Sequence, residues 1–262
     1  MRSGTASSTL DEAVERLSRA GCDTPRLDAE LLLASALGVD RARLLIDDLE
    51  VPASFESLLA RREAREPVAY IVGFKEFRRL SLAVDRRVLI PRPETELLVE
   101  AALLLPRGAR VADVGTGSGA VALALKDERP DLAVTGLDAS GDALDVARRN
   151  ASCLGLEIRF VQADLLDEAD YDAVLANLPY VPSGAELAPE IAVYEPPEAL
   201  FAGEDGLDVI RRLIGRLGRI PFVALEVGGG GQADAVTALL HGRSIERMRD
   251  LSGHERVLVG HL

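Results

Sequence analysis

Hydrophobic and polar positions follow two different rhythms along this chain. Over residues 1–75 the apolar positions recur every three or four residues, the spacing of one helix face. Thr9 with Glu12 makes a capping-box pattern ahead of AVERLSRA, and Gly21 is placed to end that helix. Thr24-Pro25 opens a second helix, with Leu27, Leu31, Ala34 and Leu37 on one stripe and Gly38 closing it. RARLLI forms a short third segment, and a fourth follows Pro52 through RREARE. Together they predict a small helical bundle.

The rhythm changes at Phe74. FKEFRRLSLAVDRRVLI alternates as a hairpin does, and IPRPETELLVEAALLL turns helical after its two prolines. From Arg110 onward, short apolar runs alternate with helical stretches. Strands are expected at 110–114, 133–137, 157–162, 172–176 and 222–227, and SIERMRDLSGHERVLVGHL reads as two more strands joined at Ser-Gly. Such alternation predicts a mostly parallel sheet covered by helices on both faces. The fold class is therefore α/β with an N-terminal helical bundle. The expected division is a helical domain over 1–75, a hairpin linker over 76–90 and an α/β domain over 91–262.

Composition narrows the function. Hydrophobic residues make up 48% of 262, so the chain can bury a large core. The formal net charge is −13, which disfavours a broad nucleic-acid footprint, because phosphate binding needs clustered positive charge. Cys22 and Cys153 are far apart and match no metal spacing; a reduced, cytoplasmic setting follows. The opening MRSGTASSTLDEAVERL lacks the apolar core of a signal peptide, and no apolar run is long enough to cross a bilayer. His241, His254 and His261 all lie near the end of the chain and read as surface or packed residues, which argues against a zinc site or a His-based triad. RREAR and RRLIGRLGR read as solvated helix faces.

The candidate chemistry gathers at strand ends. VADVGTGSGAVALAL is a strand, a glycine loop and a helix: Gly115, Gly117 and Gly119 allow close backbone approach, and the helix that follows offers free N–H groups. The spacing G-x-G-x-G is not the G-x-G-x-x-G of dinucleotide folds. The next strand ends on Asp138, suited to accept from both hydroxyls of a ribose. The third ends in VQAD, placing Asp164, followed by Leu165, where it can accept from an adenine amino group. The fourth ends in ANLPY, so Asn177, Leu178, Pro179 and Tyr180 stand at the mouth of a buried strand, where polar and rigid groups make poor packing material. Ligands bind at that edge of an open parallel sheet, and these features together describe a pocket for an adenosine-bearing cofactor.

The GTGSG loop, Asp138 and the Asn-x-Pro-Tyr segment resemble those of class I S-adenosylmethionine methyltransferases that act on a planar nitrogen. More closely, the chain resembles the protein N5-glutamine methyltransferases that modify peptide chain release factors. That resemblance runs from about Leu10 onward and includes EFRRLSLAVDRRVLIPRPETELL, DVGTGSGAVALAL, YEPPEALFAGEDGL, LEVGGGGQ and DLSGHERVLVG. It implies a Rossmann-like seven-stranded domain, S-adenosyl-L-methionine as cofactor and no metal. The implied substrate is the Gly-Gly-Gln glutamine of class I release factors, and a monomer that binds neither membrane nor nucleic acid is expected. Cofactor contacts fall to Gly115, Thr116, Gly117, Ser118, Gly119, Asp138, Asp164, Leu165 and Asn177. Arg92-Pro93-Glu94-Thr95-Glu96 is expected to help close the pocket; by itself it reads as a helix start with acids in the first turn.

One position departs from the pattern: the family carries Asn-Pro-Pro-Tyr, and Leu178 replaces its first proline. Asn-Leu-Pro-Tyr is common instead in rRNA adenine dimethyltransferases. Pro179 biases Leu178 toward extended geometry, so the Leu178 side chain is expected to be incidental. An amide nitrogen is a poor nucleophile because its lone pair is delocalised. The Asn177 oxygen and a backbone carbonyl nearby are expected to accept its N–H groups and aim it, with Tyr180 packed against the planar group. On this reading Asn177, Pro179 and Tyr180 carry the chemistry. The rivals are an adenine N6-methyltransferase acting on RNA or DNA, and a non-catalytic cofactor-binding adaptor.

Overall fold

The computed structural model describes residues 6–45 and 49–262. It divides into two compact units, one taking the chain up to Phe74 together with Leu187–Tyr194, the other Lys75–Glu186 and Glu195–Leu262.

The first unit is helical, with α1 (Ala6–Arg19), α2 (Pro25–Leu37), a 3-10 turn (Arg41–Leu45), α3 (Ser54–Glu63) and α4 (Val68–Val72). Helix α1 begins ahead of Thr9, so the anticipated capping box lies inside the helix and caps nothing. Ile46, the last residue of the expected third segment, is outside the described residues. Gly38 closes α2 in the left-handed conformation, its N–H returning to Ala34 and Ser35 carbonyls.

The expected stripe on α2 is rotated. Ala29, Leu32 and Leu33 are fully buried, whereas Leu27 and Leu31 are exposed at 38% and 36%. LDAELLLASAL is apolar around most of its circumference, so periodicity alone does not choose a face. The choice is made by Asp28, which is buried against Arg62 of α3, Nε donating to Oδ2 at 2.7 Å. RREAR is thus not a solvated face throughout: Arg62 is buried between Asp28 and Glu190, and Arg65 grips Glu190 with two hydrogen bonds.

The second unit opens with a hairpin, β1 (Phe74–Phe77) and β2 (Leu80–Ala83), then a 3-10 turn (Pro93–Thr95) and α5 (Glu96–Ala102). After these come β3 (Arg110–Val114), α6 (Ala120–Glu128), β4 (Ala133–Asp138), α7 (Gly141–Leu154), β5 (Arg159–Gln162) and β6 (Ala173–Ala176). Helix α8 (Pro189–Tyr194) belongs to the first unit. A 3-10 turn (Pro197–Ala199), α9 (Asp208–Ile214), β7 (Phe222–Glu226), α10 (Gly230–Leu239), β8 (Ser244–Arg249) and β9 (Glu255–His261) complete the chain.

The seven strands lie in the order β5-β4-β3-β6-β7-β9-β8, with β5 through β7 parallel and β9 antiparallel to both neighbours. Side chains alternate between two cores. Val111, Ala173, Leu175 and Ala224 face α5 and α6, while Ala112, Val174, Ala176 and Val223 face α9 and α10. Strands covered on both sides read as unbroken apolar runs, as AVLA and FVALE do. The chain starts the sheet at β3, proceeds outward to β5, then returns to β6 on the other side of β3. That reversal opens a crevice at the strand ends between β3 and β6.

Candidate functional site

Register builds the site. Val114 pairs with Leu137 and with Ala176, and Ala176 pairs with Leu225. The next residue on each strand is Asp138, Gly115, Asn177 and Glu226, so these four line up across the carboxyl edge of the sheet. A cavity of ≈ 560 Å³ opens there, within the range of small-molecule sites. Its walls include the loop from Gly115 to Ser118, Asp138, Asp164, Leu165, Asn177, Leu178 and Pro179. Val88, Thr95, Val209 and Arg212 also contribute.

The glycine loop turns because its residues adopt φ angles other side chains resist. Gly115 sits at φ 74°, and a Cβ there would meet Leu178 Cδ2 at 3.1 Å. Gly119, at φ 84°, starts α6, and its Cβ would lie 2.9 Å from Leu123. Beneath the loop, Asp113 Oδ2 accepts from the Thr116 hydroxyl at 2.6 Å and from the Ala122 N–H at 3.1 Å. Burial pushes the Asp113 carboxyl up to about 6, against the pull of those two donors. Asn150 of α7 accepts from the Ala83 N–H at 2.8 Å and donates to the carbonyls of Ala83 and Ser118, tying the loop to the hairpin.

Asp138 is held between the loop and α7. Oδ2 accepts from the Gly117 N–H and Oδ1 from the Ser140 N–H, both at 2.9 Å. Burial raises its pKa, opposed by those backbone donors. Each oxygen keeps a further lone pair, and the residue lines the cavity. Asp164 lines the cavity as expected of its place at the end of the third strand. Its carboxylate is paired with Arg212 and lies largely exposed, because α9 presents arginines that a strand-end reading does not anticipate. Leu165, buried beside it, takes a left-handed φ of 70°.

At the end of β6 the Asn177 Nδ2 donates to Thr95 Oγ1 at 3.0 Å. Leu178, at 5% exposure, is packed in the core and against the glycine loop. Tyr180 is half-buried and is not among the cavity walls. Its carbonyl accepts from Gln232 Nε2 at 3.0 Å, and burial, with Glu226 nearby, pushes its hydroxyl up to about 12. Sequence reading missed Asp113, Asn150 and Glu226. Asp113 and Glu226 are polar residues inside apolar runs, which is the signal that would have marked them, whereas Asn150 follows two arginines and carries no such signal. All three histidines are exposed, as expected.

The blocks that carried the resemblance converge here. Thr95 comes from RPETE, Glu226 and Gln232 from LEVGGGGQ, and Gly206 of AGEDGL sits where a Cβ would strike the Tyr180 carbonyl at 2.2 Å. Arg92 pairs with buried Glu195 of the YEPPEAL block.

A glycine-loop crevice at the switch point, with seven strands ending in an antiparallel pair, defines a class I methyltransferase. The family model "Methyltransferase small domain" matches residues 93–193, and "PrmC N-terminal domain" matches residues 8–73. A methyltransferase structure from Pyrococcus furiosus superposes with a TM-score of 0.53 at 15% identity, covering 80% of this chain and 98% of that one. At that identity it speaks for the fold alone.

The release factor glutamine methyltransferase of Rhodospirillum rubrum is 41% identical over 269 residues, covering 95% of this chain and 83% of the relative. That of Mycolicibacterium smegmatis is 46% identical over 215 residues, covering 78% and 76%. The chain belongs to the release factor glutamine methyltransferase family.

Proposed function

We propose that this protein transfers the methyl group of S-adenosyl-L-methionine to the side-chain amide nitrogen of the Gly-Gly-Gln glutamine in peptide chain release factors. The single observation that carries this is the placement of Asn177 at the switch-point crevice, one strand from the glycine loop, with its Nδ2 already engaged by Thr95.

The residues present fit the cofactor. The loop from Gly115 to Gly119 would take its amino-acid end, Asp138 its ribose hydroxyls, and the apolar wall around Leu165 and Val209 its adenine, with Asp164 at the rim. When bound, the cofactor supplies a methyl group on a positively charged sulfur, an electrophile that needs only an aligned nucleophile.

This chain's contribution is alignment. With Nδ2 bound to Thr95, the Asn177 Oδ1, which has no hydrogen-bond partner among the described residues, accepts one N–H of the glutamine amide, and a backbone carbonyl of the Leu178–Pro179 stretch accepts the other. Both acceptors favour the positive charge that develops on the nitrogen. Pro179 stiffens the stretch; Tyr180, whose carbonyl is pinned by Gln232, anchors its far end and offers its ring to the planar amide. The helical unit recognises the protein substrate, and the protein acts as a monomer in the cytoplasm, where release factors are made. The net charge of −13 favours a protein partner over RNA.

The test is incubation with labelled S-adenosylmethionine and either a release factor or a structured RNA. Label on the release factor alone is expected; label on RNA alone would replace this reading with adenine N6 methylation, and label on neither with an adaptor. Asn177→Ala is expected to slow transfer by about a hundredfold with cofactor affinity largely kept, the scale of losing one oriented polar contact.

A further inference from the structure

Glu226 is 2% exposed, and its Oε2 has no hydrogen-bond partner among the described residues. Nothing in the packing of β7 calls for a carboxylate there: the strand is buried along its whole length between two apolar cores. An orphaned buried oxygen costs about 1–3 kcal/mol, so its retention calls for an explanation. Register puts Glu226 directly beside Asn177. The Thr95 hydroxyl lies close enough to the Glu226 carboxyl to favour its ionised form. The same hydroxyl accepts from Asn177 Nδ2 at 3.0 Å.

We infer that Glu226 and Thr95 are positioning residues that set which end of the Asn177 amide faces the substrate. This deepens the function proposed above and rests on Asn177 being the acceptor. A primary amide occupies its site in two orientations of nearly equal shape, and only one presents Oδ1 to an N–H donor. A threonine hydroxyl has a single proton. An ionised carboxylate only accepts, so it takes that proton from Thr95. The hydroxyl is then left as an acceptor toward Asn177, which must turn Nδ2 to it and Oδ1 away. A protonated Glu226 instead donates to Thr95, frees the hydroxyl proton to point at Asn177, and removes the preference. Substrate orientation therefore strengthens as Glu226 ionises.

The groups around Glu226 leave this open near neutrality. Burial opposes ionisation, as does Glu94, while Thr95, Arg256 of β9 and Arg92 favour it, and Tyr180 lies close enough to feel its charge. The balance brings the carboxyl to about 7.

The experiment is single-turnover methylation of a purified release factor by the full-length protein across pH 5.5–9, a range of about 1.5–2 units either side of that balance. Cofactor affinity is measured calorimetrically alongside. Thr95→Val keeps the shape and removes the hydroxyl. It is expected to lower the transfer rate by about tenfold or more while cofactor affinity stays within about twofold, the signature of lost orientation rather than lost binding. Thr95→Ser restores the hydroxyl and is expected to restore the rate. The wild-type rate is expected to rise through neutral pH, and Glu226→Gln to flatten that rise, because its side chain does not titrate.

Thr95→Val at the wild-type rate would overturn the inference, as would a pH rise unchanged in Glu226→Gln. If Thr95→Val fails to fold, Thr95→Ser decides, since a serine variant as slow as an Asn177→Ala control would show that the hydroxyl is not what matters. A full-rate Asn177→Ala, by contrast, would remove the functional reading beneath it, so the two failures are told apart.

Discussion

Asp138 commits one lone pair on each carboxylate oxygen to a backbone N–H, which fixes its plane before any ligand arrives. Its two substitutions should therefore behave differently. Asp138→Asn retains one acceptor and is expected to weaken cofactor binding by about 1–2 kcal/mol, whereas Asp138→Ala also frees the Gly117 N–H and loosens the loop, losing about 2–3 kcal/mol. Calorimetric titration of both variants checks the order; equal, unchanged affinities would remove Asp138 from the site. Asp138 and Asn177 were legible in the sequence because a polar residue closing an apolar strand has few packing uses. Glu226 was not, although it too closes one, because its meaning lies in the β6–β7 register and in a hydroxyl 131 residues earlier, at Thr95. The packing role of Leu178 was hidden for a related reason. Its backbone role was inferable from Pro179, but its side chain's contact with Gly115 belongs to tertiary structure.

Among elements, the strands of the α/β unit were the most legible and the second helix the least. Strands β3, β6 and β7 are buried on both faces, and that survives in the sequence as short runs of mostly apolar residues. Strand β5 starts at Arg159 rather than 157, and β6 at Ala173 rather than 172, shifts at the fraying ends where side-chain pattern says little. Helix α2 is apolar on too many sides for its buried face to be chosen by hydropathy. The face follows instead from a buried ion pair, and that makes the pair testable. Asp28→Ala leaves the Arg62 guanidinium, at 5% exposure, with Glu190 and the Glu66 carbonyl as partners. A loss of about 3 kcal/mol from the helical unit is expected, since the buried Arg62 charge loses its shorter ion pair and keeps only the one to Glu190. Denaturant unfolding followed by circular dichroism measures it. Cofactor affinity should hold, because every residue lining the cavity belongs to the other unit.

For the whole molecule, stability against pH reports whether the buried acids carry the charges assigned to them. Asp113 and Glu226 have ordinary values of 3.8 and 4.5 and are pushed up to about 6 and about 7 by burial. A carboxyl whose folded pKa is raised holds its proton more tightly when folded. Its stabilising contribution is complete below the unfolded pKa and is lost as pH climbs through the folded one. Glu190 runs the other way: burial would raise it, but hydrogen bonds from Arg65 and Arg62 bring it down to about 2. Its contribution is present above its ordinary 4.5 and disappears only as the solution becomes strongly acid. The ligand-free protein is therefore expected to be most stable near pH 4–5, and to lose a few kcal/mol per buried acid between there and pH 7.5. Thermal melts across that range, in wild type, Asp113→Asn and Glu226→Gln, check it. Each substitution should remove its own share of the decline, Asp113→Asn at the lower end of the window and Glu226→Gln nearer neutrality. A wild-type midpoint that rises from pH 5 to 7.5 would mean that neither acid is held against its charge. The crevice would then be too wet at both positions for a carboxylate to direct the Thr95 hydroxyl as the relay requires.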